Sequence, residues 1–403
     1  MKKHFNILIL ALLPLMLLAL VGCNPNDDNN ASDESMPISF ACSDAGAVTR
    51  AGEQSEGLPL HRFITDFFVY GINGKVAADG SFTKRTNGTV FPNYKVQYAA
   101  NSAHTTSSNS SDWEYVGIDG QTIKFWDKEQ DVHYFWAVGQ SDKGDFESPV
   151  TAADGRVSSL ELTNVISDGK TFYTDPIIVS KINYGNPVPL RFKSVEARIR
   201  IGFYEALESG GDDVVSAIYF YKEQDEDDMS TDGWASTLDK DDAAEPFLKG
   251  LFTDKVNATI TYSYPTTGTP TATLEAEPAE GATTSSFLSL HSFDVSAEHP
   301  LSNDSKNPTY ANNGEYIRVL PYDNTQGLTI KCDYDVLSGG TGSPITVEGK
   351  YATIPAAYCH WQSNMAYTYI FKITEGGAIV LTDVRVDNWA EGAQTLPLEW
   401  HNW

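Results

Sequence analysis

The sequence predicts an all-β protein built from β-sandwich domains. Apolar residues occur in short alternating runs, and Gly, Pro, Asn and Asp residues separate one run from the next. The clearest run is 197–203, where four apolar side chains occupy alternate positions and both Arg198 and Arg200 fall between them. With 403 residues and a hydrophobic content of 41%, the chain is long enough for two domains, each with a buried core.

Other segments support the same fold class, and one suggests a helix. Three runs rich in aromatic and β-branched residues have the composition of strands: 67–72, 133–138 and 217–221. Helical spacing of apolar residues is scarce, and residues 241–252 are the best candidate for a helix of one or two turns. Two polar segments, 101–112 and 264–284, are predicted to be surface loops or hairpin tips.

The chain divides into four predicted parts. The boundary between the two folded domains is placed at the turn-rich segment 183–189, which contains one glycine and two prolines. The parts are a lipoprotein signal peptide at 1–22, an acidic flexible tether at 23–36, an N-terminal β-sandwich domain at 37–187 and a C-terminal β-sandwich domain at 188–403.

The N-terminus has the pattern of an exported lipoprotein. Lys2 and Lys3 provide a positive n-region, and the apolar segment 7–21 that follows is too short for a typical transmembrane helix. The run Leu-Val-Gly-Cys that ends at Cys23 resembles the bacterial lipobox, in which the cysteine is acylated and becomes the mature N-terminus. The alternative is an ordinary signal peptide that is cut near Gly22.

The tether after Cys23 indicates where the protein is delivered. Residues 24–34 contain no large apolar side chain, so this segment is expected to stay solvated. Its asparagines and acidic residues are similar to the leader that sends lipoproteins of Bacteroides-like bacteria to the outer face of the outer membrane. We therefore expect a surface-exposed lipoprotein of the cell outer membrane.

Charge and cysteine content limit the function classes and the possible crosslinks. The formal net charge is −26, and it becomes −28 without residues 1–22, which hold two lysines and no acidic residue. Such a surface repels nucleic acid, so no nucleic-acid partner is expected. Besides Cys23 the chain has Cys42, Cys332 and Cys359. Cys332 with Cys359 is the favoured disulfide pair, and buried free thiols are the alternative.

No sequence motif indicates catalysis or a bound cofactor. The chain has no His-Glu-x-x-His, no Gly-x-Ser-x-Gly and no phosphate-binding glycine loop, so we expect a protein that is not an enzyme and needs no cofactor. One weak metal pattern has the spacing of a calcium loop, with Gly233 at the turn position and oxygen ligands at Asp228, Ser230, Asp232 and Asp239. No helical pattern flanks this acidic segment, so we expect a solvated loop without metal, and calcium binding is the alternative.

Aromatic residues in the first domain suggest either a sugar-binding surface or core packing. Trp113, Tyr115, Trp126 and Trp136 are close enough in sequence to form a stacking platform for a carbohydrate. Strands of sandwiches bury such side chains routinely, so core packing is the expectation for most of them. Trp113 is the candidate ligand contact, because it is predicted to lie inside a loop rich in serine and asparagine.

Several short motifs are informative through their order and spacing. The N-terminal motifs are Ile38-Ser39-Phe40, Thr49-Arg50-Ala51 and the strand 67–71. The later motifs are Leu190 to Ile199, Ile354-Pro355-Ala356 with Trp361, Tyr367 to Ile373, and Val384 to Trp389. In this order and spacing the motifs resemble the fimbrillins of Bacteroidales, the type V pilins and their Mfa-like relatives. The resemblance spans nearly the whole exported chain.

This resemblance implies a fold, a processing step and a mode of assembly. The fold is a tandem pair of transthyretin-like Greek-key β-sandwich domains. In the family, an arginine-specific protease removes an N-terminal strand, and a neighbouring subunit fills the exposed groove by β-strand complementation. Carried onto this chain, the cut falls between Arg50 and Ala51, in a segment of small residues. The removable strand comprises Pro37, Ile38, Ser39, Phe40, Ala41 and Cys42.

The expected function is that of a structural or accessory subunit of cell-surface fimbriae that supports adhesion. Its partners would be other fimbrial subunits, the arginine-specific protease, the outer membrane through the lipid, and a ligand on a host or bacterial surface. In the alternative, Arg50 is an ordinary residue of a flexible connector and the protein stays anchored by its lipid. It would then be a glycan- or protein-binding surface module that does not polymerise.

Overall fold

Strands make up nearly all of the regular structure, and the all-β prediction is confirmed. The computed structural model describes residues 36–44, 60–98, 112–139, 149–207, 213–224, 226, 230–236, 247–340, 342–388 and 394–396. Within these ranges there is no α-helix, and therefore no helical segment with the length and apolar character that a membrane span requires.

The described residues form strands β1 to β23 and six short 3-10 turns. Strands β1 to β10 cover Phe40–Asp44, Asp66–Val76, Phe82–Tyr98, Trp113–Glu114, Val132–Gly139, Val150–Thr151, Val157–Ile166, Phe172–Thr174, Ile177–Ser180 and Val188–Ser194. Strands β11 to β23 cover Ala197–Ala206, Val214–Phe220, Phe247–Thr253, Lys255–Ser263, Thr271–Pro278, Thr284–Ser289, Thr309–Tyr310, Ile317–Val319, Leu328–Leu337, Ile345–Ile354, Met365–Thr374, Ile379–Asn388 and Gln394–Leu396. The 3-10 turns are Leu60–Arg62, Ile118–Gly120, Lys181–Asn183, Ala311–Gly314, Ser338–Gly340 and Ala356–Tyr358.

Two sheets form the first sandwich. The larger sheet has eight strands in the order β1-β10-β8-β5-β2-β3-β4, with β9 also paired to β5. A four-stranded sheet in the order β15-β14-β7-β6 packs against one face of it. The shared core contains Ile72 and Trp136 from the larger sheet and Leu160 and Ile260 from the smaller one. Both faces of β5 are buried, which explains its continuous run of aromatic and apolar residues.

Two strand pairings join residues on both sides of the predicted boundary at 187 and 188. Strand β10 begins at Val188 and lies between β1 and β8 in the first sheet. Strand β14 pairs with β7, so the hairpin of β14 and β15 belongs to the first sandwich. Of the segment 264–284, predicted to be a surface loop or hairpin tip, residues 264–270 form the tip of this hairpin, but the prediction is wrong for Thr271–Pro278, which form β15. The division into domains remains a prediction.

The other two sheets enclose a second core. One has six strands in the order β17-β11-β21-β22-β23, with β18 also paired to β11. The other has five, in the order β12-β19-β13-β16, with β20 paired to β19. Ile199 and Phe371 from the first sheet meet Phe220 and Ile330 from the second in one apolar cluster. The predicted helix at 241–252 is wrong where the structure describes it, because the segment from Phe247 onward is β13.

The second core also contains two cysteines. Cys332 and Cys359 are both fully buried, and both are free thiols. The alternative of buried free thiols is therefore the one that the structure shows, and the favoured disulfide pair is not formed. Burial raises the pKa of the Cys359 thiol to about 12, so this thiol is kept in its unreactive protonated form.

Candidate functional site

The N-terminal strand is the element that the sequence singled out for function. Strand β1 starts inside the predicted removable segment and extends two residues beyond it, from Phe40 to Asp44. It pairs in parallel with β10, so that Phe40 lies opposite Val188 and Cys42 lies opposite Leu190. Parallel strands cannot be joined by a hairpin turn, and a long stretch of chain separates β1 from β10. The N-terminal strand β1 thus joins the sheet beside a strand that is distant in sequence.

The first sheet curls until its two ends approach each other. Strands β1 and β4 stand at opposite ends of the strand order, yet they are in contact. The backbone N–H of Ile38 donates to the carbonyl of Lys124 at 2.8 Å, and Pro37 forms an isolated antiparallel bridge with Phe125. Residues 37–44 therefore close the gap between the two ends of the sheet.

The side chains of this segment fill the interior of the curled sheet. Ile38 and Phe40 are both 0% exposed. The ring of Phe40 lies edge-on to four other rings, with centroid distances of 5.4 to 6.2 Å. We call this set the β1 groove, and its members are Phe67, Phe91, Tyr115 and Phe135. Edge-to-face packing of this kind stabilises beyond the burial of area alone.

A glycine makes the floor of the β1 groove possible. Gly71 lies on β2, and a Cβ atom at this position would lie 2.9 Å from Cδ2 of Phe91 and 3.2 Å from Cδ1 of Phe135. Both rings occupy space that any other residue would need. The sequence contains no signal for this role other than a glycine inside a run that otherwise reads as a strand.

Polar contacts hold the backbone at the entrance of the groove. The Tyr115 hydroxyl donates to the carbonyl of Ile38 at 2.8 Å and accepts from the N–H of Lys124 at 3.1 Å. The N–H of Val188 donates to the carbonyl of Ser39 at 2.8 Å. Burial raises the pKa of the Tyr115 hydroxyl well above its usual range, so the group stays a hydrogen-bond donor. The segment is thus fixed from both sides where it enters the sheet.

A buried histidine lies beside the groove. The ring of Trp126 packs edge-on against His133 and Phe135. The Tyr184 hydroxyl donates to the carbonyl of Gln130 at 3.1 Å, which assigns Nδ1 of His133 as the donor to Tyr184 at 2.9 Å. Burial lowers the pKa of His133 from 6.5 to about 4, so the imidazole is neutral at neutral pH.

Core packing is confirmed for the first-domain aromatics, and the sugar-stacking alternative is wrong, also for Trp113. The four side chains are all buried, with exposures of 2%, 0%, 4% and 1% for Trp113, Tyr115, Trp126 and Trp136. Trp113, the candidate ligand contact, packs against Phe67, which belongs to the β1 groove. Its predicted position inside a polar loop suggested exposure, but Trp113 begins β4 and its side chain is buried.

The described part of the calcium pattern is already engaged by protein donors. Oδ1 of Asp232 accepts from the Ser230 hydroxyl and from the N–H of Trp234, and Oδ2 accepts from the Tyr351 hydroxyl. These donors lower the pKa of the Asp232 carboxyl. Asp228 and Asp239 lie outside the described residues. Within the described ranges, no group of three or more metal-ligating side chains is present.

The remaining predicted sites lie outside the described residues. They are Cys23, Arg50 and Ala51. The lipidation site and the cleavage site therefore stay predictions. In sequence, the bond between Arg50 and Ala51 lies after the end of β1 at Asp44 and before the 3-10 turn that starts at Leu60.

Comparison with known proteins finds similarity at the level of solved structures. No protein-family model and no curated protein matches the chain. A candidate cell adhesion protein from Bacteroides ovatus shares 12% identity at a TM-score of 0.40, covering 88% of this chain and 98% of its own. For a candidate cell adhesion protein from Bacteroides uniformis these values are 14%, 0.36, 89% and 100%. For a fimbrial assembly protein from Parabacteroides distasonis they are 10%, 0.34, 90% and 98%. Each is a protein to which this chain is similar, at low identity and over most of both chains.

Proposed function

We propose that this protein is a cell-surface fimbrial subunit that assembles by strand exchange. In this proposal the segment 37–44 leaves the first sheet, and a strand from a neighbouring subunit takes its place beside β10. The observation that carries the proposal is the position of Phe40. Its ring is fully buried among four other rings, and its strand β1 lies at the end of the strand order of the sheet. The burial of its side chains holds this strand in place. Because it lies at the end of the strand order, it can leave without separating any two other strands.

Strand exchange is favoured because an empty groove is costly in water. Burial of a side chain such as Ile38 or Phe40 stabilises the fold by about 1.5–3 kcal/mol each. Departure of the strand exposes the rings of the β1 groove and leaves the ladder groups of β10 without their partner. An incoming strand with apolar side chains at two alternate positions, as Ile38 and Phe40 have in β1 and before it, would bury the exposed rings and pair with the backbone of β10 at the same time.

The proposed delivery and processing steps fit this arrangement. The lipid on Cys23 holds the subunit at the outer membrane while residues 37–44 close the sheet. An arginine-specific protease then cuts between Arg50 and Ala51, which separates β1 from the rest of the chain without removing any residue of another described element. The proposal assigns the chain no catalytic role and no cofactor.

The test is treatment of the full-length exported protein with an arginine-specific protease. We expect a mature chain that begins at Ala51, identified by mass spectrometry, and the appearance of polymers in size-exclusion chromatography. The variant Arg50→Lys should remain uncut and monomeric. The matched control Arg62→Lys, which changes an exposed arginine in a neighbouring turn, should behave like the unmodified protein.

Two results would refute the proposal. One is a chain that is cut after Arg50, loses residues 37–44 and still stays monomeric at every concentration tested. The other is a surface form whose N-terminus is always acylated Cys23. The second result would instead support the permanently anchored binding module.

A further inference from the structure

The two ends of the β1 groove have different surroundings. Strand β1 runs parallel to β10, and its last residue, Asp44, lies opposite Phe192. Beyond this pair β10 ends at Ser194, and β11 of the second sandwich begins at Ala197. The N–H of Ser194 donates to Oδ1 of Asn364, just before β21 of the second sandwich, at 3.1 Å. One end of the groove therefore adjoins the chain's own second sandwich, and the other end is remote from it.

This difference determines where a neighbouring subunit lies. A strand that replaces β1 must be connected to the body of the subunit that supplies it. At the end near Ser194, the segment before β21 of the second sandwich is already hydrogen-bonded to β10. The body of a neighbour must then lie at the other end, where Val188 begins β10, whichever way its strand runs. This step rests on the strand exchange proposed above.

Three loops at the remote end expose apolar side chains. Val76 at the end of β2 is 39% exposed, Phe125 between β4 and β5 is 40% exposed, and Ile182 in the turn after β9 is 89% exposed. Among the described residues, Ile182 is the most exposed of the large apolar side chains. Ala77 and Ala78, which follow Val76, are exposed as well. We call Val76, Phe125 and Ile182 the end face.

Asp131 joins two of these loops. Its carboxylate accepts a hydrogen bond from the N–H of Val76 at 3.1 Å. Its carbonyl accepts one from the N–H of Lys181 at 3.0 Å. Because Ile182 follows Lys181, Val76 and Ile182 lie on either side of Asp131.

A stacked pair of rings joins the third loop to the same surface. The rings of Trp126 and Tyr184 are nearly parallel, with 4.7 Å between their centroids. This stacking places Phe125, next to Trp126, close to the turn that contains Ile182. Phe125 also forms the antiparallel bridge with Pro37, where the removable segment starts. The end face is thus continuous with the mouth of the β1 groove.

The end face is nearly neutral, although the chain is strongly acidic. Segments 75–79, 125–131 and 181–183 together contain three lysines and four acidic residues, whereas the whole chain has a formal net charge of −26. Two copies of such a chain repel each other, and this repulsion is weakest where one copy presents a neutral surface. Apolar side chains grouped on an exposed surface are typical of a contact with another protein.

We propose that the end face docks the body of a second copy of this chain, the copy whose strand occupies the β1 groove. The groove then provides one contact with the neighbour, and the end face provides another. Burial of the Ile182 side chain is the main gain, because it is the most exposed of the three. A contact between the groove end of one copy and a different surface of the next is heterologous, and such contacts build open filaments.

Polymerisation of variants cut with an arginine-specific protease tests this inference. The measurement is sedimentation of the cut protein over a range of concentrations. We expect Ile182→Asp to require an about tenfold higher concentration for half-maximal polymerisation, because a charge replaces the buried isoleucine of the contact. Val76→Asp, on another loop of the end face, should shift the concentration in the same direction.

The matched control is Ile166→Asp. Ile166 is 52% exposed and ends β7 in the same sandwich. It lies at the opposite end, since nearby Gly169 donates its N–H at 3.1 Å to Glu196, which lies between β10 and β11. This variant should polymerise like the unmodified protein. An equal shift in the control would indicate a general effect of added charge and would overturn the end face as the docking surface.

A peptide separates docking from strand exchange. A dye-labelled peptide with the sequence of residues 37–44 has no body to dock, so it should enter the groove of cut Ile182→Asp as well as that of the cut unmodified protein. Normal polymerisation of both Ile182→Asp and Val76→Asp would overturn the docking surface and leave strand exchange standing. Failure of the peptide to enter the unmodified protein would refute strand exchange itself. Peptide entry without any polymer of the unmodified chain would overturn a second copy as the partner.

Discussion

The ring of Phe40 packs edge-on against the ring of Phe91, with 5.4 Å between their centroids. These residues lie on β1 and β3, near opposite ends of the strand order of the same sheet. They meet because the sheet curls and the N-terminal segment closes it. The N-terminal strand is therefore part of the interior of the curled sheet, and its removal would open this interior as well as an edge of the sheet.

Truncation of the Phe40 ring should strongly destabilise the protein. We expect Phe40→Ala to lower the free energy of unfolding by about 3–5 kcal/mol, because it leaves a cavity among four aromatic rings. Urea unfolding of the uncut protein measures this change. The control Ile182→Ala truncates a side chain that is 89% exposed and should change stability by less than about 0.5 kcal/mol. Similar values for both variants would contradict the described packing.

A methyl group at Gly71 should disturb the groove floor. In Gly71→Ala the new Cβ meets Phe91 and Phe135 at distances that force a ring to move, which costs about 1–3 kcal/mol. The matched control is Gly376→Ala, where no atom lies within 4 Å of the added Cβ. Chemical unfolding of both variants provides the measurement. A neutral effect at Gly71 would show that the rings have more room than the structure describes.

Loss of the Tyr115 hydroxyl should loosen the strand after cleavage. Tyr115→Phe removes the bond to the Ile38 carbonyl while keeping the ring in the groove, at a cost of about 1 kcal/mol. The cut N-terminal fragment should then dissociate roughly fivefold faster, measured by fluorescence of a dye on the fragment. Tyr351→Phe, which removes a hydroxyl bound to Asp232, should leave this rate unchanged. An unchanged rate in Tyr115→Phe would mean that this bond does not hold the strand.

Buried His133 should make stability fall in mild acid. The unfolded chain binds a proton near pH 6.5, whereas the folded chain keeps the imidazole neutral down to about pH 4. The contribution is therefore fully present above pH 6.5 and is lost as the pH falls from 6.5 to 4, by roughly 3 kcal/mol in total. Urea unfolding at several pH values should show a shallower dependence in this window for His133→Gln. The control His299→Gln, at an exposed position, should retain the full dependence, and identical slopes in all three proteins would contradict the prediction.

The sequence was informative where structure depends on neighbours along the chain. The alternation at 197–203 identified β11 and the outward position of Arg198 and Arg200, because a strand places successive side chains on opposite faces. The same local reasoning was wrong for Trp113 and for residues 271–278, which form β15. In both cases polar neighbours suggested exposure, whereas strand pairing and burial were set by residues distant in sequence.

By itself, the sequence determined the all-β class and the segment expected to act as a removable strand. Only the tertiary structure decided that this strand runs parallel to β10 and inserts Phe40 among the four rings of the β1 groove. It also decided that the guanidinium of Arg200 stands between the rings of Tyr310 and Tyr316. The physical reason is that alternation along a strand is a local property of the backbone. The choice of neighbouring strands depends on contacts between residues far apart in the chain.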